Sequence, residues 1–96
     1  MEMHNPPHPG EILKEDVLPE LNMTVGEFAK YIGVSRTMLS RILNSHAGIT
    51  ADMDLRLSEA LGQTPGLWLR MQAKYDLWQA KQRSKARRRI RPLQAA

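Results

Sequence analysis

An all-α domain of five helices is what this sequence predicts, and three observations predict it. Apolar residues recur at helical spacing in five separate stretches. Each stretch opens on a serine or threonine placed as an N-cap, or on a proline suited to a first turn. Nothing alternates long enough to make a strand and nothing repeats. The short patch Asp54-Leu55-Arg56-Leu57 alternates, but its length and the caps around it assign it to a helix.

Residues 1–7 hold Pro6 and Pro7 and no periodic pattern, so they read as a flexible arm. Pro9 opens the first helix, with Ile12, Leu13 and Val17 inward and Glu11, Lys14 and Glu15 outward, and Pro19 is expected to stop it at about Leu18. Thr24-Val25-Gly26-Glu27 is a capping box for the second helix, which buries Phe28, Ala29 and Ile32 and closes on Gly33. Ser35 caps a third helix running to about Asn44. Thr50 caps a fourth, in which Met53, Leu57, Ala60 and Leu61 share a face, and Gly62 closes it. Thr64-Pro65 is read as N-cap and first residue of a long fifth helix, 64–82. The domain therefore spans residues 8–82, and a basic tail, 83–96, is expected to be disordered.

Composition narrows the function. Ninety-six residues make one domain, and a core this small is marginal alone. The absence of cysteine removes disulfides, thiolate metal sites and a cysteine nucleophile. No apolar run approaches a membrane span and the N-terminus lacks the parts of a signal peptide, so no membrane contact and a cytoplasmic location are expected. The net charge of +4 is misleading as a sign of nucleic-acid binding. Half of the 14 cations lie in residues 81–96 without one acid, which leaves residues 1–80 with seven cations against all 10 acids, a net of −3. Any DNA contact by the body must use locally placed cations. His4 and His8 are four apart, but Pro6 and Pro7 between them rule against a helical metal pair. No catalytic arrangement is present, so no enzyme, cofactor or metal is expected.

The informative stretch is residues 25–44. Two helices joined by Ile32-Gly33-Val34-Ser35 have the makings of a helix-turn-helix. Ala29 is the small residue at the helix contact, Gly33 sits at the bend, and Val34, Leu39 and Ile42 lock the second helix. In that second helix Met38, Leu39, Ile42 and Leu43 form the expected core face. Arg36, Thr37, Ser40, Arg41 and Asn44 form the outer face, which carries no carboxylate. Arginine forks to guanine, asparagine to adenine, and threonine touches the thymine methyl, so this face is the candidate for reading double-stranded DNA. Thr24, Thr50, Lys30 and His46 are within reach of phosphates, and Ser35 joins Thr24 among the expected DNA-binding residues; the two cap threonines are explained almost as well as plain caps, and His46, in a connecting loop, is expected to be simply exposed.

In the fifth helix Trp68, Met71, Tyr75 and Trp78 form one stripe, and Leu69, Ala73, Leu77 and Ala80 lie on a neighbouring face. One stripe is enough to cover a small domain. The surplus is either a wide core stripe or the interface of a homodimer, with Trp68, Met71, Tyr75 and Trp78 as its expected residues. A dimer would present two reading helices about one DNA turn apart, ~34 Å, and predicts a palindromic operator.

His8-Pro9-Gly10-Glu11-Ile12-Leu13 and Ala29-Lys30-Tyr31-Ile32-Gly33-Val34-Ser35-Arg36 resemble the HigA-type antitoxins, or plasmid-maintenance antidote proteins, of the phage-repressor-like helix-turn-helix class. The likeness continues through Gly48-Ile49-Thr50-Ala51-Asp52-Met53, Leu55-Arg56-Leu57, Ala60-Leu61-Gly62, Trp68-Leu69 and Tyr75-Asp76-Leu77-Trp78-Gln79-Ala80, covering roughly residues 8–82. The resemblance implies a lambda-repressor-like five-helix domain. It also implies a dimer that represses its own operon through operator DNA, and a partner toxin of the HigB type, a small RelE-like ribonuclease that the antitoxin suppresses by binding it. The family's DNA-reading face maps here onto Arg36, Thr37, Ser40, Arg41 and Asn44. The alternative is a stand-alone phage-type repressor with no toxin partner. Relatives often carry a glycine after the third helix where this chain has Ser45, so Asn44 has two alternatives, a base contact or the left-handed turn in the glycine's place. The tail after Gln82 lies beyond the resemblance. Its cations can touch phosphates, bind an acidic partner surface or stay solvated, and the last is the expectation.

Overall fold

A computed structural model describes residues 5–94, and they form five helices with no strand. Residues 1–4 of the expected arm and 95–96 of the expected tail lie outside the described residues, as does His4. Residues 5–7 have no regular structure.

Helix α1 spans residues 9–21 and does not stop at Pro19. It is α-helical over Pro9–Ile12, widens to a π-turn over Leu13–Val17, and resumes over Leu18–Leu21. The wider turn is why the proline is tolerated. Leu18 N–H bonds back to the Leu13 carbonyl, and Pro19, which has no N–H to give, falls at the start of the resumed segment. Asn22, at φ 55°, ends the helix instead.

Helices α2 (Val25–Ile32), α3 (Arg36–Leu43) and α4 (Ala51–Leu61) start at the expected caps. Each cap is local. Glu27 N–H donates to Thr24 Oγ1 (3.1 Å) while Thr24 N–H donates to Glu27 Oε1 (2.8 Å), which completes the capping box. Met38 N–H donates to Ser35 Oγ (3.0 Å), and Met53 N–H to Thr50 Oγ1 (3.2 Å).

Helix α5 (Leu67–Ser84) starts two residues later than expected, and Thr64-Pro65 is not its cap. Pro65 and Gly66 form a turn, with Gly66 at φ 108°. The cap comes from α4: the Asp54 carboxylate accepts from Gly66 N–H (2.9 Å) and Leu69 N–H (3.1 Å), and from the Ser58 hydroxyl (2.8 Å). Burial pushes the Asp54 carboxyl up. The Gly66, Ser58 and Leu69 donors, with the Arg70 charge nearby, outweigh that and hold it below the ordinary aspartate range.

The core is drawn from all five helices, with Leu13, Phe28, Leu39, Ile42, Leu57 and Trp68 almost fully enclosed. Two corrections concern it. Met38, expected in the core, is 43% exposed, because α3 packs through Leu39, Ile42 and Leu43 alone. Trp68, expected at a dimer interface, is 2% exposed and donates its indole N–H to Gln63 Oε1 (2.7 Å), so it is core within one chain.

Candidate nucleic-acid interface

The position of α3 is set by contacts on its inner side. Ala29 of α2, 2% exposed, lets the two helices of the motif approach. Gly10 does the same from α1: a Cβ there would fall 1.8 Å from the Ile42 carbonyl oxygen, so backbone meets backbone. Gly33, at φ 77°, makes the bend between α2 and α3. Arg56 of α4 holds that bend, donating from Nη1 to the Ile32 carbonyl (2.8 Å) and the Gly33 carbonyl (3.3 Å), with Nε on Asp52 (2.8 Å).

His8 fixes the other end of the frame. It is buried and caps α1, its Nδ1 accepting from Gly10 N–H (2.9 Å), and its ring meets Tyr75 of α5 edge-on at 4.9 Å. Burial lowers its pKa, an effect only partly opposed by Asp76, Glu11 and the Ala47 backbone, which favours the neutral ring over the charged one. Gln72 of α5 completes the tie, accepting from Ile49 N–H (2.9 Å) and donating to Asp76 (2.9 Å). Every buried side-chain nitrogen and oxygen among the described residues has a partner. No three metal-ligating side chains cluster there, and no described helix is long and apolar enough to cross a membrane.

On the outer side Arg36, Thr37 and Arg41 are exposed and Ser40 is half-buried. The sole ion pair among the described residues is Arg56–Asp52, so neither arginine of α3 is neutralised by a carboxylate. Arg36 passes beside Gly26, its Cδ 3.9 Å from where a Cβ would sit, which brings the starts of α2 and α3 to one edge. Thr24 and Ser35 both lie there, exposed. Their oxygens accept the capping N–H groups, but each hydroxyl proton remains free to donate. Arg41 differs from Arg36 in being steadied by its own loop, donating to the His46 carbonyl (3.3 Å).

Asn44 departs from the expectation. Its amide is occupied: Nδ2 donates to the Ser40 carbonyl (2.9 Å), and Oδ1 accepts from Lys14 Nζ (3.2 Å). Nor does it take the left-handed turn; Ser45 does, at φ 62°. The side chain that was a candidate reader serves as the C-cap of α3 and its link to α1.

Of the expected interface stripe on α5, Met71, Tyr75 and Trp78 are half-buried against the domain. The uncovered apolar row is the neighbouring one: Leu69 is 40% exposed and Leu77 52%, with Ala73 and Ala80 exposed between and beyond them. The roles of Asp54, Arg56, Gln72, His8 and Gly10 escaped the sequence reading. Only His8-Pro9-Gly10 carried a signal, a cap candidate before a helix-starting proline and a residue without a Cβ.

Residues 13–69 match the Helix-turn-helix family. Virulence-associated protein A′ of Dichelobacter nodosus is 47% identical over 78 residues, covering 80% of this chain and 67% of that protein. Two solved structures are alike in fold and in sequence. A protein of Nostoc punctiforme, described as an antidote of a plasmid maintenance system, superposes with TM-score 0.81 at 41% identity, covering 85% of this chain and 89% of its own. The Pseudomonas aeruginosa antitoxin HigA, solved with the higBA promoter, superposes with TM-score 0.84 at 31% identity, covering 93% and 99%.

Proposed function

This chain belongs to the helix-turn-helix family of non-enzymatic DNA-binding regulators and antitoxins, and we propose that it is a HigA-type antitoxin that represses its own operon and neutralises a HigB-type toxin. The observation that carries the DNA-binding half is the outer face of α3, where Arg36, Thr37, Ser40 and Arg41 stand free of any carboxylate of the described residues. Arg36 and Arg41 read base edges in the major groove, with Thr37 and Ser40 beside them. Thr24 and Ser35 give their hydroxyl protons to phosphate and set the register. Asn44 supports this face through Ser40 and Lys14 rather than touching a base.

The functional unit is a homodimer formed through Leu69, Ala73, Leu77 and Ala80 of α5. Leaving that row in water is unfavourable for so small a domain. A two-fold axis there presents two α3 helices to one face of DNA, and the operator is a palindrome. The toxin half rests on the antidote and antitoxin names of the similar proteins.

Two measurements test the reading. Arg36→Ala and Arg41→Ala each weaken binding to the chain's own upstream DNA by ~1–3 kcal/mol in a mobility-shift titration, with the fold unchanged. Equal affinity of both variants and the unaltered protein overturns α3 as the reader. Co-expression with the adjacent open reading frame yields a complex that relieves its toxicity. If no complex forms, the chain is a stand-alone repressor.

A further inference from the structure

The basic tail has no role inside the domain. Helix α5 ends at Ser84, and residues 85–94 are exposed throughout. None of Arg87, Arg88, Arg89 and Arg91 pairs with a carboxylate among the described residues. The charge is thus held outward, on a segment joined to a body whose own net charge is −3. A body of that sign is repelled by a polyanion at long range, and the tail reverses the balance.

From this we infer that residues 85–91 form a second, sequence-independent contact to duplex DNA, gripping the phosphates that flank the operator. Three features select this ligand. Residues 81–96 contain no aromatic side chain, so the segment has nothing on which single-stranded bases would stack. Residues 88–92 are not helical, so Ile90 offers no amphipathic face to a lipid surface. Four of the five residues from 87 to 91 are arginine, whose forked guanidinium suits phosphate oxygens.

The tail also leaves the domain at a useful place. Tyr75 and Gln79 of α5 line one surface cleft with Ser45, at the end of α3. Ser84 lies nine residues beyond Tyr75, ~13 Å further along the helix. The 10 residues 85–94 add a reach of up to ~33 Å when extended. The reach of the segment thus exceeds its offset along α5 from the cleft beside the end of α3.

The inference rests on the DNA-binding reading above, and the test separates the two. Arg87→Gln, Arg88→Gln, Arg89→Gln and Arg91→Gln are introduced together in the full chain. Affinity is measured by fluorescence anisotropy against salt, on the operator duplex with and without its flanking base pairs. Each lost phosphate contact flattens the slope of log K against log salt by ~0.9, so four lost contacts flatten it by ~3.6 for each tail engaged. Across a fourfold rise in salt the unaltered protein then loses about a hundredfold more affinity than the variant for each tail engaged. Trimming the flanks flattens the slope of the unaltered protein and leaves the variant's alone. An equal slope for both proteins, with operator binding intact, overturns the tail contact and leaves α3 as the reader. The same holds if the variant loses only its grip on a partner protein. Failure of the unaltered protein to bind the operator overturns the DNA reading itself.

Discussion

Helices α3 and α5 each leave one side uncovered, and the two sides are opposite in chemistry. The outer side of α3 is hydrophilic and cationic, with Arg36, Thr37 and Arg41 exposed. Water satisfies such a face, so its exposure costs the monomer little, and its residues are free to be chosen for a ligand. The outer side of α5 carries Leu69, Ala73 and Leu77, which water does not satisfy. One face can wait for its partner and the other gains stability by finding one. On the proposed reading the molecule separates what it reads from what it pairs with, and the two helices are linked indirectly, through α1, where His8 meets Tyr75 and Gly10 meets Ile42, and through the loop before α4, where Gln72 holds Ile49.

Three changes break or sharpen this contrast. The largest effect is expected from Gly10→Ala. Its Cβ meets the Ile42 carbonyl, so α1 must lift from α3 at a cost of roughly 3 kcal/mol. Denaturant unfolding reads that loss, and operator affinity falls more than dimer affinity because α3 is the helix displaced. A loss shared equally by both properties would show that the two faces are not separable.

Leu77→Lys addresses the other side. It removes ~1–2 kcal/mol of burial per protomer from the pairing surface and leaves the core intact. Sedimentation is expected to show a folded monomer, and circular dichroism an unchanged helix content. An unchanged dimer would move the interface off this row. Trp68→Ala is the contrasting control: with that side chain buried in one chain, the outcome is loss of stability rather than clean dissociation.

The smallest effect is a pH dependence set by His8, which caps α1 and packs it against α5. Its folded pKa lies below the ordinary 6.5, so between the two values the unfolded chain binds more protons. Stability is therefore full above pH 6.5 and declines as pH falls through that value toward the folded pKa. Protonation at Nδ1 also removes the acceptor that caps α1. Thermal melts between neutral and mildly acid pH measure the decline, and His8→Asn, which keeps a cap oxygen, is expected to flatten it. Asp54 acts in a separate window: its carboxyl is lowered, so its contribution is lost only as pH falls below 3.8.

What was legible in the sequence was what lies close along the chain. Thr24, Ser35 and Thr50 cap donors three residues ahead, and that spacing is visible without a fold. The Ala29–Gly33 offset and the outer face of α3 were legible for the same reason, since a helical wheel needs no neighbours. The cap of α5 was not, because Asp54 serves Gly66 from 12 residues away on another helix. Periodicity found two apolar rows on α5 but could not say which one the domain covers, so Trp68, expected at an interface, is core, and Leu77 of the other row is left uncovered. Asn44 was legible as a polar residue on an outer face, but not as one already claimed by Ser40 and Lys14.

The borrowed cap on α5 has a consequence for cooperativity. Helices α2, α3 and α4 each carry the means of their own initiation, so each can open and re-form as a local unit. Helix α5 cannot: its first turn is completed only while Asp54 of α4 is in place. Any fluctuation that frays the first half of α4 therefore unravels the start of α5 too. The proposed pairing surface is no more persistent than the helix before it, and pairing through it would stabilise both together.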